Sequence, residues 1–508
     1  MRLNLIFCSI IGLLVCNPVV AAEGPAIALL HQAIEAQGGE KALRGISSVE
    51  WRAHGYRNML EQSERPEGPY IPEFRDVAEI HDQENGRFRS LDRFTVYPEF
   101  KGSDGILADR SAAVRIGSGA EAPSNADGLA SAREALALSP ERLLLTAIAA
   151  PDVRMEQRTM LQSVPQDVVA FTFDGAKARI YLNAYTHLPT ALDYKGALAR
   201  QAYWRFLGDT AMRTYFSFWW KAKGIRMPMQ WDIYRNGLHD STLVIDSMSI
   251  NAPIAKTEMQ IPQALRDAFA RSATAQPFSA LAPAVDIAPG VSFIRGPWNV
   301  TLVRQSDGLV VIEAPISSAY SELVLKAAER RYPKLRVKAV ISTSDSWPHI
   351  AGLRPYVARG IPIYCLDLNK PALMRLVTMS FAGHPDALSR SPRSGRFITV
   401  SRKLSLGQGD NRIQLFPLRG ETSERQMMAY LPGPRILYGS DPFQKDSDGS
   451  YLTMETVSEL VDAVAREGLH PRNFFMMHIA KTPWSSLLKA IKTQKDAFPE
   501  GLGASATN

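Results

Sequence analysis

The chain changes character across residues 270–289, a stretch rich in Ala, Pro and Ser with few charges. Before it, strand-like runs follow one another through tight turns. After it, strands alternate with helices. The two patterns call for different layer architectures, and 508 residues exceed what one core fills, so two domains follow. The reading is a signal segment at 1–22, a sheet domain at 23–270, a linker at 271–287, a second domain at 288–492 and a tail at 493–508.

In the first domain, residues 26–37 read as a helix stopped by Gly38-Gly39. Runs at 168–173 and 178–182 flank the turn Asp174-Gly175. Runs at 230–234 and 241–245 flank Asn236-Gly237, a strong hairpin signal. The stretch 212–220 is aromatic-rich, and the Ala/Leu-rich stretch 129–150 reads as one helix ending at Pro151. This half is α+β, mainly antiparallel sheet. The second domain opens with strands at 291–294, 300–304 and 309–312, the last two joined by Ser306-Asp307-Gly308. A helix at 318–331 stops before Pro333, and strands follow at 336–341, 361–366 and 436–438. Helix 454–467 carries Val457, Leu460, Val461 and Val464 on one face, and a last strand spans 473–477. This half is an α/β layered domain.

The net charge of +7 is spread along the chain without a basic stripe, so nucleic-acid binding is not expected. Arg2, the apolar run 5–15 and Val20-Ala21-Ala22 form a signal peptide cleaved after Ala22, giving a periplasmic or secreted protein. Leu14-Val15 before Cys16 lacks the small residue a lipoprotein site prefers, so no lipid anchor is expected there. No other stretch is long and apolar enough for a transmembrane helix. Cleavage leaves Cys365 as the one remaining cysteine, in an apolar strand, which excludes an intrachain disulfide.

Two resemblances add to this reading. Tyr181-Leu182-Asn183, Thr186-His187-Leu188-Pro189 and Gly224-Ile225-Arg226-Met227-Pro228 loosely resemble the half-barrel sheet of LolA-type lipoprotein carriers. That likeness implies a sheet curled around an apolar ligand or lipid, with Tyr215, Phe216, Phe218, Trp219, Trp220 and Trp231 as lining or simply as core. The second domain resembles the metallo-β-lactamase fold, a four-layer αββα sandwich. Its carrying residues are 290–294, Asn299, the run 307–315, and the loop Ser344-Asp345-Ser346-Trp347-Pro348-His349 with Gly352-Leu353-Arg354 after it.

In that family the loop reads H-x-H-x-D-H. Here the first three ligand positions hold Ser344, Ser346 and Pro348, and only His349 survives. The resemblance puts the family's later His on Glu421, its bridging Asp on Asp441 and its final His on His478. The three-His ion site is therefore lost, because serine is a poor zinc ligand. His349, Asp441 and His478 survive as ligands for one zinc, iron or manganese ion. The resemblance makes Asp441 a catalytic carboxylate as well, and Glu421 an added carboxylate or general base. It implies that Asp345 points away from the site and that Lys481 and Trp484 lie on its rim. Two functions follow. One is a metal-dependent hydrolase with a single-metal site. The other is a catalytically inactive scaffold whose sheet domain binds an apolar or lipid-like small molecule. Neither reading fixes an oligomeric state.

Overall fold

The structure, a computed structural model, describes residues 24–493 except 61–64, 66, 97–99, 197–207, 275–277, 279, 446–448 and 452–453. The expected signal segment, Cys8, Cys16 and all but the first residue of the expected tail lie outside the described residues.

The first region is built on a thirteen-stranded antiparallel sheet. Its first six strands are β1 (Ser48–Asn58), β2 (Pro72–Asp82), β3 (Arg87–Val96), β4 (Phe100–Ala108), β5 (Ala113–Gly117) and β6 (Ala122–Pro123). The other seven are β7 (Arg154–Leu161), β8 (Val164–Phe173), β9 (Ala176–Asn183), β10 (Pro189–Tyr194), β11 (Met212–Ala222), β12 (Ile225–Arg235) and β13 (Leu238–Ile250). Neighbours in space are neighbours in sequence except at one seam, where β13 lies between β1 and β12. The Asn236-Gly237 turn forms as expected, with φ values of 48° and 82° that suit a type I′ hairpin.

Helices α1 (Pro25–Gln37), α2 (Glu40–Arg44) and α4 (Leu143–Ile148) pack on one face of this sheet. Leu30, Ile34, Leu43 and Leu143 are fully buried there against Val49, Val169, Ile180 and Leu182. Each such side chain contributes roughly 1.5–3 kcal/mol of burial. The single helix expected over 129–150 is two helices, α3 (Ala126–Ala137) and α4. Pro140 has no N–H to continue the ladder, and the break lets Glu141 reach the core. A second cluster joins β2–β5 to α3 and to α5 (Gln263–Ser272).

The six aromatics, read as cavity lining or simply as core, do not share a face. Phe216 is buried, and Trp219 and Trp231 pack on the same core. Tyr215 packs on the opposite face with Val168, Tyr181 and Ala191. Phe218 (φ 52°) has no cross-strand partner between Ser217↔Gln230 and Trp219↔Pro228. This bulge shifts the alternation and leaves Phe218 66% and Trp220 67% exposed.

The second region holds two sheets. In spatial order the first is β14 (Ala284–Ala288), β15 (Val291–Ile294), β16 (Val300–Gln305), β17 (Gly308–Ile312), β18 (Val337–Ser342), β19 (Ile363–Leu366) and β20 (Phe397–Val400). It is antiparallel up to β17 and parallel beyond it. The second is β21 (Leu404–Leu406), β22 (Ile413–Pro417), β23 (Met427–Leu431), β24 (Ile436–Tyr438), β25 (Asn473–Phe475) and β26 (Thr482–Pro483). The expected linker is thus partly structured: α5 runs to Ser272, and β14 is the sheet's edge strand.

Val291, Val303, Val310 and Ile341 of the first sheet meet Leu415, Met427, Ala429 and Phe475 of the second in one buried cluster. Helix α6 (Ser318–Arg331) is capped by the Ser317 hydroxyl, which accepts from the Tyr320 N–H at 3.1 Å. After the one-turn helix α7 (Trp347–Ile350) come α8 (Arg354–Ala358), α9 (Lys370–Thr378) and α10 (Ala387–Arg390). Val324 of α6, Tyr356 of α8, Leu373 of α9 and Leu388 of α10 pack with Leu302, Val311 and Val340 of the first sheet. Leu460 of α11 (Met454–Arg466) and Leu487 of α12 (Trp484–Lys492) pack with Leu437 and Phe474 of the second. Cys365 is fully buried in β19, and burial pushes its thiol up to about 12, so it is an inert core residue. Among the described residues no helix is long and apolar enough to cross a membrane.

Candidate metal centre

Three loops at the strand ends of the second region are laced together by backbone hydrogen bonds. Strand β18 leads into residues 343–346 and then α7, which carries His349. The His349 N–H donates to Ser346 O at 2.9 Å, and the Ile316 N–H donates to Pro348 O at 2.8 Å. Strand β24 delivers Asp441 through Ser440, a non-glycine residue at φ 63°. The Ser440 hydroxyl meets Thr343 Oγ1 at 2.8 Å, and the Asp441 N–H donates to Gln426 Oε1 at 3.0 Å. Strand β25 ends two residues earlier than expected, because Met477 turns to donate its N–H to Ser440 O at 3.1 Å. Asn299 then donates its own N–H to Met477 O at 2.9 Å. Met477 is therefore held through both its N–H and its C=O, and the Trp298 ring lies edge-on to His478 at 5.8 Å.

These loops bring His349, Asp441 and His478 together. One ligand atom from each lies within 4.8 Å of the other two. Asp441 Oδ2 is 3.1 Å from His349 Nε2 and 3.5 Å from His478 Nε2. Bonds of ~2.0–2.1 Å from a tetrahedral ion put its ligand atoms ~3.3–3.5 Å apart, so the 3.5 Å edge already has that length and the 3.1 Å edge is slightly short of it. Among the described residues, Asp441 Oδ1 and His349 Nδ1 are buried without a hydrogen-bond partner. Oδ2 lies between the two imidazoles while Oδ1 is left over, and a donor set of two imidazoles and one carboxylate fits a divalent ion.

The electrostatics bind the three together. Burial alone would lower the His349 pKa, but the carboxylates of Asp441, Glu313 and Asp345 together outweigh it and the net shift is upward. Burial pushes Asp441 up, hydrogen bonds from His349 and His478 pull it down, and the net is downward. Beneath them lies Glu313, fully buried at the end of β17 with φ 75°. One of its oxygens accepts from the Thr343 hydroxyl and N–H, while Oε2 has no hydrogen-bond partner of good geometry. Burial raises its pKa, partly offset by the nearby His349.

The cluster opens into a polar cavity of about 390 Å³ lined also by Ser344, Asp345, Ser346, Pro348, Thr422, Arg425 and Gln426. The loop 344–349 therefore does face the candidate site. Asp345, expected to point away, lines the cavity instead, because Arg425 draws it in with an ion pair at 3.2 Å. Burial pushes its carboxyl up to about 6 even beside that guanidinium. Glu421 is exposed and does not line the cavity; its neighbour Thr422 does, held by Glu459 at 2.9 Å. Lys481 donates to Ile287 O at 2.7 Å, and Trp484 is buried against Phe474, so neither forms a rim. The sequence does not mark Glu313 or Arg425 as site residues. An acid closing the apolar run 309–312 was the available signal for the first, and none exists for the second.

No protein-family model matches the sequence, and no curated protein does. Among solved structures, a metallo-β-lactamase from Pontibacter korlensis aligns over 42% of this chain and 100% of its own, at 14% identity and TM-score 0.33. TMB-1 aligns over 42% and 96%, at 14% identity and TM-score 0.32. The stereoselective inverting sec-alkylsulfatase Pisa1 from Pseudomonas sp. aligns over 42% and 40%, at 14% identity and TM-score 0.32. These likenesses are too distant to carry an argument, and the candidate centre stands on its own geometry.

Proposed function

We propose that residues 288–492 form an αββα sandwich of metallo-β-lactamase type whose His349, Asp441 and His478 hold one zinc, iron or manganese ion in a hydrolytic site. The carrying observation is the convergence of three ligand atoms within 4.8 Å, with a buried Asp441 oxygen left over. The layering is supported by the cluster shared between the two sheets and by helices on the far face of each. An ion held there supplies Lewis-acid polarisation of the bond under attack. Asp441 orients both imidazoles, the Ser440–Thr343 hydroxyl pair sets its loop, and Asp345 is the acid closest to titrating in the cavity. Glu421 is given no role in this scheme, because its side chain faces solvent. A protein whose sheet region holds an apolar ligand has weaker support: α1, α2 and α4 occupy one face, and the aromatics are split between faces.

Metal analysis of full-length protein purified without chelator tests this reading. We expect about one ion per chain, and its loss in His478→Ala, since three protein ligands define such a site. Absence of zinc, iron and manganese from both proteins would end the proposal. From Arg2, the apolar run 5–15 and Val20-Ala21-Ala22 we also infer export with cleavage after Ala22. The mature chain then begins at Glu23, and N-terminal sequencing that reads Met1 would refute it.

A further inference from the structure

Arg425 lines the cavity beside the three ligand residues, and the two edges of its guanidinium differ. One edge is anchored: Nη1 donates to Asp345 Oδ2 at 3.2 Å and to Leu368 O at 3.1 Å. On the other, among the described residues, Nε is buried with no hydrogen-bond partner, and Nη2 donates to Glu67 Oε2 at 3.2 Å. Nε–H and Nη2–H point the same way, forming the side-on fork that takes an oxyanion through two parallel hydrogen bonds. Glu67 fills half of that fork.

Glu67 is a loose occupant. It comes from the β1–β2 connection of the first region, and its side chain is 56% exposed, against 17% for Arg425 and 8% for Asp345. An exposed pair of this kind is worth about 0–1 kcal/mol and is screened by salt. A ligand oxyanion that satisfies both Nε–H and Nη2–H makes one hydrogen bond more than Glu67 makes. The anchored edge holds the guanidinium in place during the exchange.

We propose that Arg425 is the anion-recognition residue of this cavity, binding a carboxylate, sulfate or phosphate group of the substrate in place of Glu67. The proposal rests on the hydrolytic reading and narrows it to anionic substrates. Glu67 then acts as an internal competitor that sets how tightly such a group is held, and it couples the first region to the site in the second.

The test is calorimetric titration of inorganic sulfate, and separately inorganic phosphate, into chelator-treated full-length protein at low ionic strength. Glu67→Gln removes the competitor and should tighten binding by up to about fivefold, the equivalent of an exposed ion pair. Arg425→Gln should reduce it at least tenfold. Wild-type affinity in Arg425→Gln, or no tightening in Glu67→Gln, overturns the proposal. If Arg425→Gln does not fold, the exposed Glu67→Gln change decides alone. Because no metal is present in the titration, failure of the metal reading shows up in the metal analysis and failure of this one in the anion titration.

Discussion

At the scale of single residues, His81 is a buried ionisable group held by two carboxylates. It is 1% exposed, with Nδ1 2.7 Å from Glu141 and Nε2 2.9 Å from Glu79. Burial alone would lower its pKa, but the two carboxylates raise it from 6.5 to about 10. A raised pKa stabilises the fold fully below 6.5, and that contribution fades as pH climbs to about 10. Glu141 is lowered from 4.5 despite its burial, so its contribution is present above 4.5 and fades below. Thermal unfolding of the wild type should therefore lose stability steadily between pH 6.5 and 10. His81→Gln should flatten that slope and cost about 3–5 kcal/mol by stranding buried carboxylates. A wild-type midpoint that does not move over this range would contradict the assignment. The same scale shows what sequence could reveal. That His349, Asp441 and His478 come together follows the pattern of the sequence, with Asp441 and His478 each three residues past a strand and His349 in the helix after β18. Asp345, Glu313 and Arg425 were not legible there, because their roles come from burial and from partners about 30 to 360 positions away in the chain.

Local signals made some elements readable. Helix α6 has its cap at Ser317 and a stop at Pro333, and it forms over the expected residues. The bulge at Phe218 is a matter of register between two strands, which no single-strand pattern contains. The junction of α7 and α8 is equally non-local. A Cβ on Gly352 would lie 2.3 Å from Ser321 Oγ and 2.8 and 2.9 Å from the carbonyl oxygens of Pro315 and Ala314. The Gly352 N–H also donates to Ala314 O at 2.8 Å, so α7 is seated directly on the loop before α6. Gly352→Ala should cost about 1–3 kcal/mol through overpacking and displace His349. We expect both a lower unfolding temperature and reduced metal retention. Gly237→Ala is the matched control. Its Cβ meets nothing, its φ is 82°, and it should cost about 1–2 kcal/mol while leaving metal retention intact. Equal metal retention in both variants would detach α7 from the site.

At the scale of the whole molecule, polar contacts among the described residues stitch the first region to the second. Asp209, just before β11, accepts from the Ala382 N–H at 2.7 Å and the Gly383 N–H at 3.0 Å, and donates its own N–H to Ser380 O at 2.8 Å. Arg65 pairs with Glu424 at 2.7 Å and Glu67 with Arg425 at 3.2 Å. Calorimetric unfolding of Asp209→Ala should therefore split into two better-separated transitions, each region melting around its own core. A single transition unchanged from wild type would show that the stitch carries no coupling. The change of strand and helix pattern near residue 270 is accompanied by a shift in composition; these stitches lie in loops whose sequence signals only a turn. The seam of the first sheet bears on how the chain is made. Val49 pairs with Ile250, so strand β1 has its inner neighbour only after β13 has been synthesised. Until then β1 and β12 both present open edges to any passing strand. A nascent chain, or a fragment ending before residue 238, is accordingly the form of this protein most in need of a chaperone.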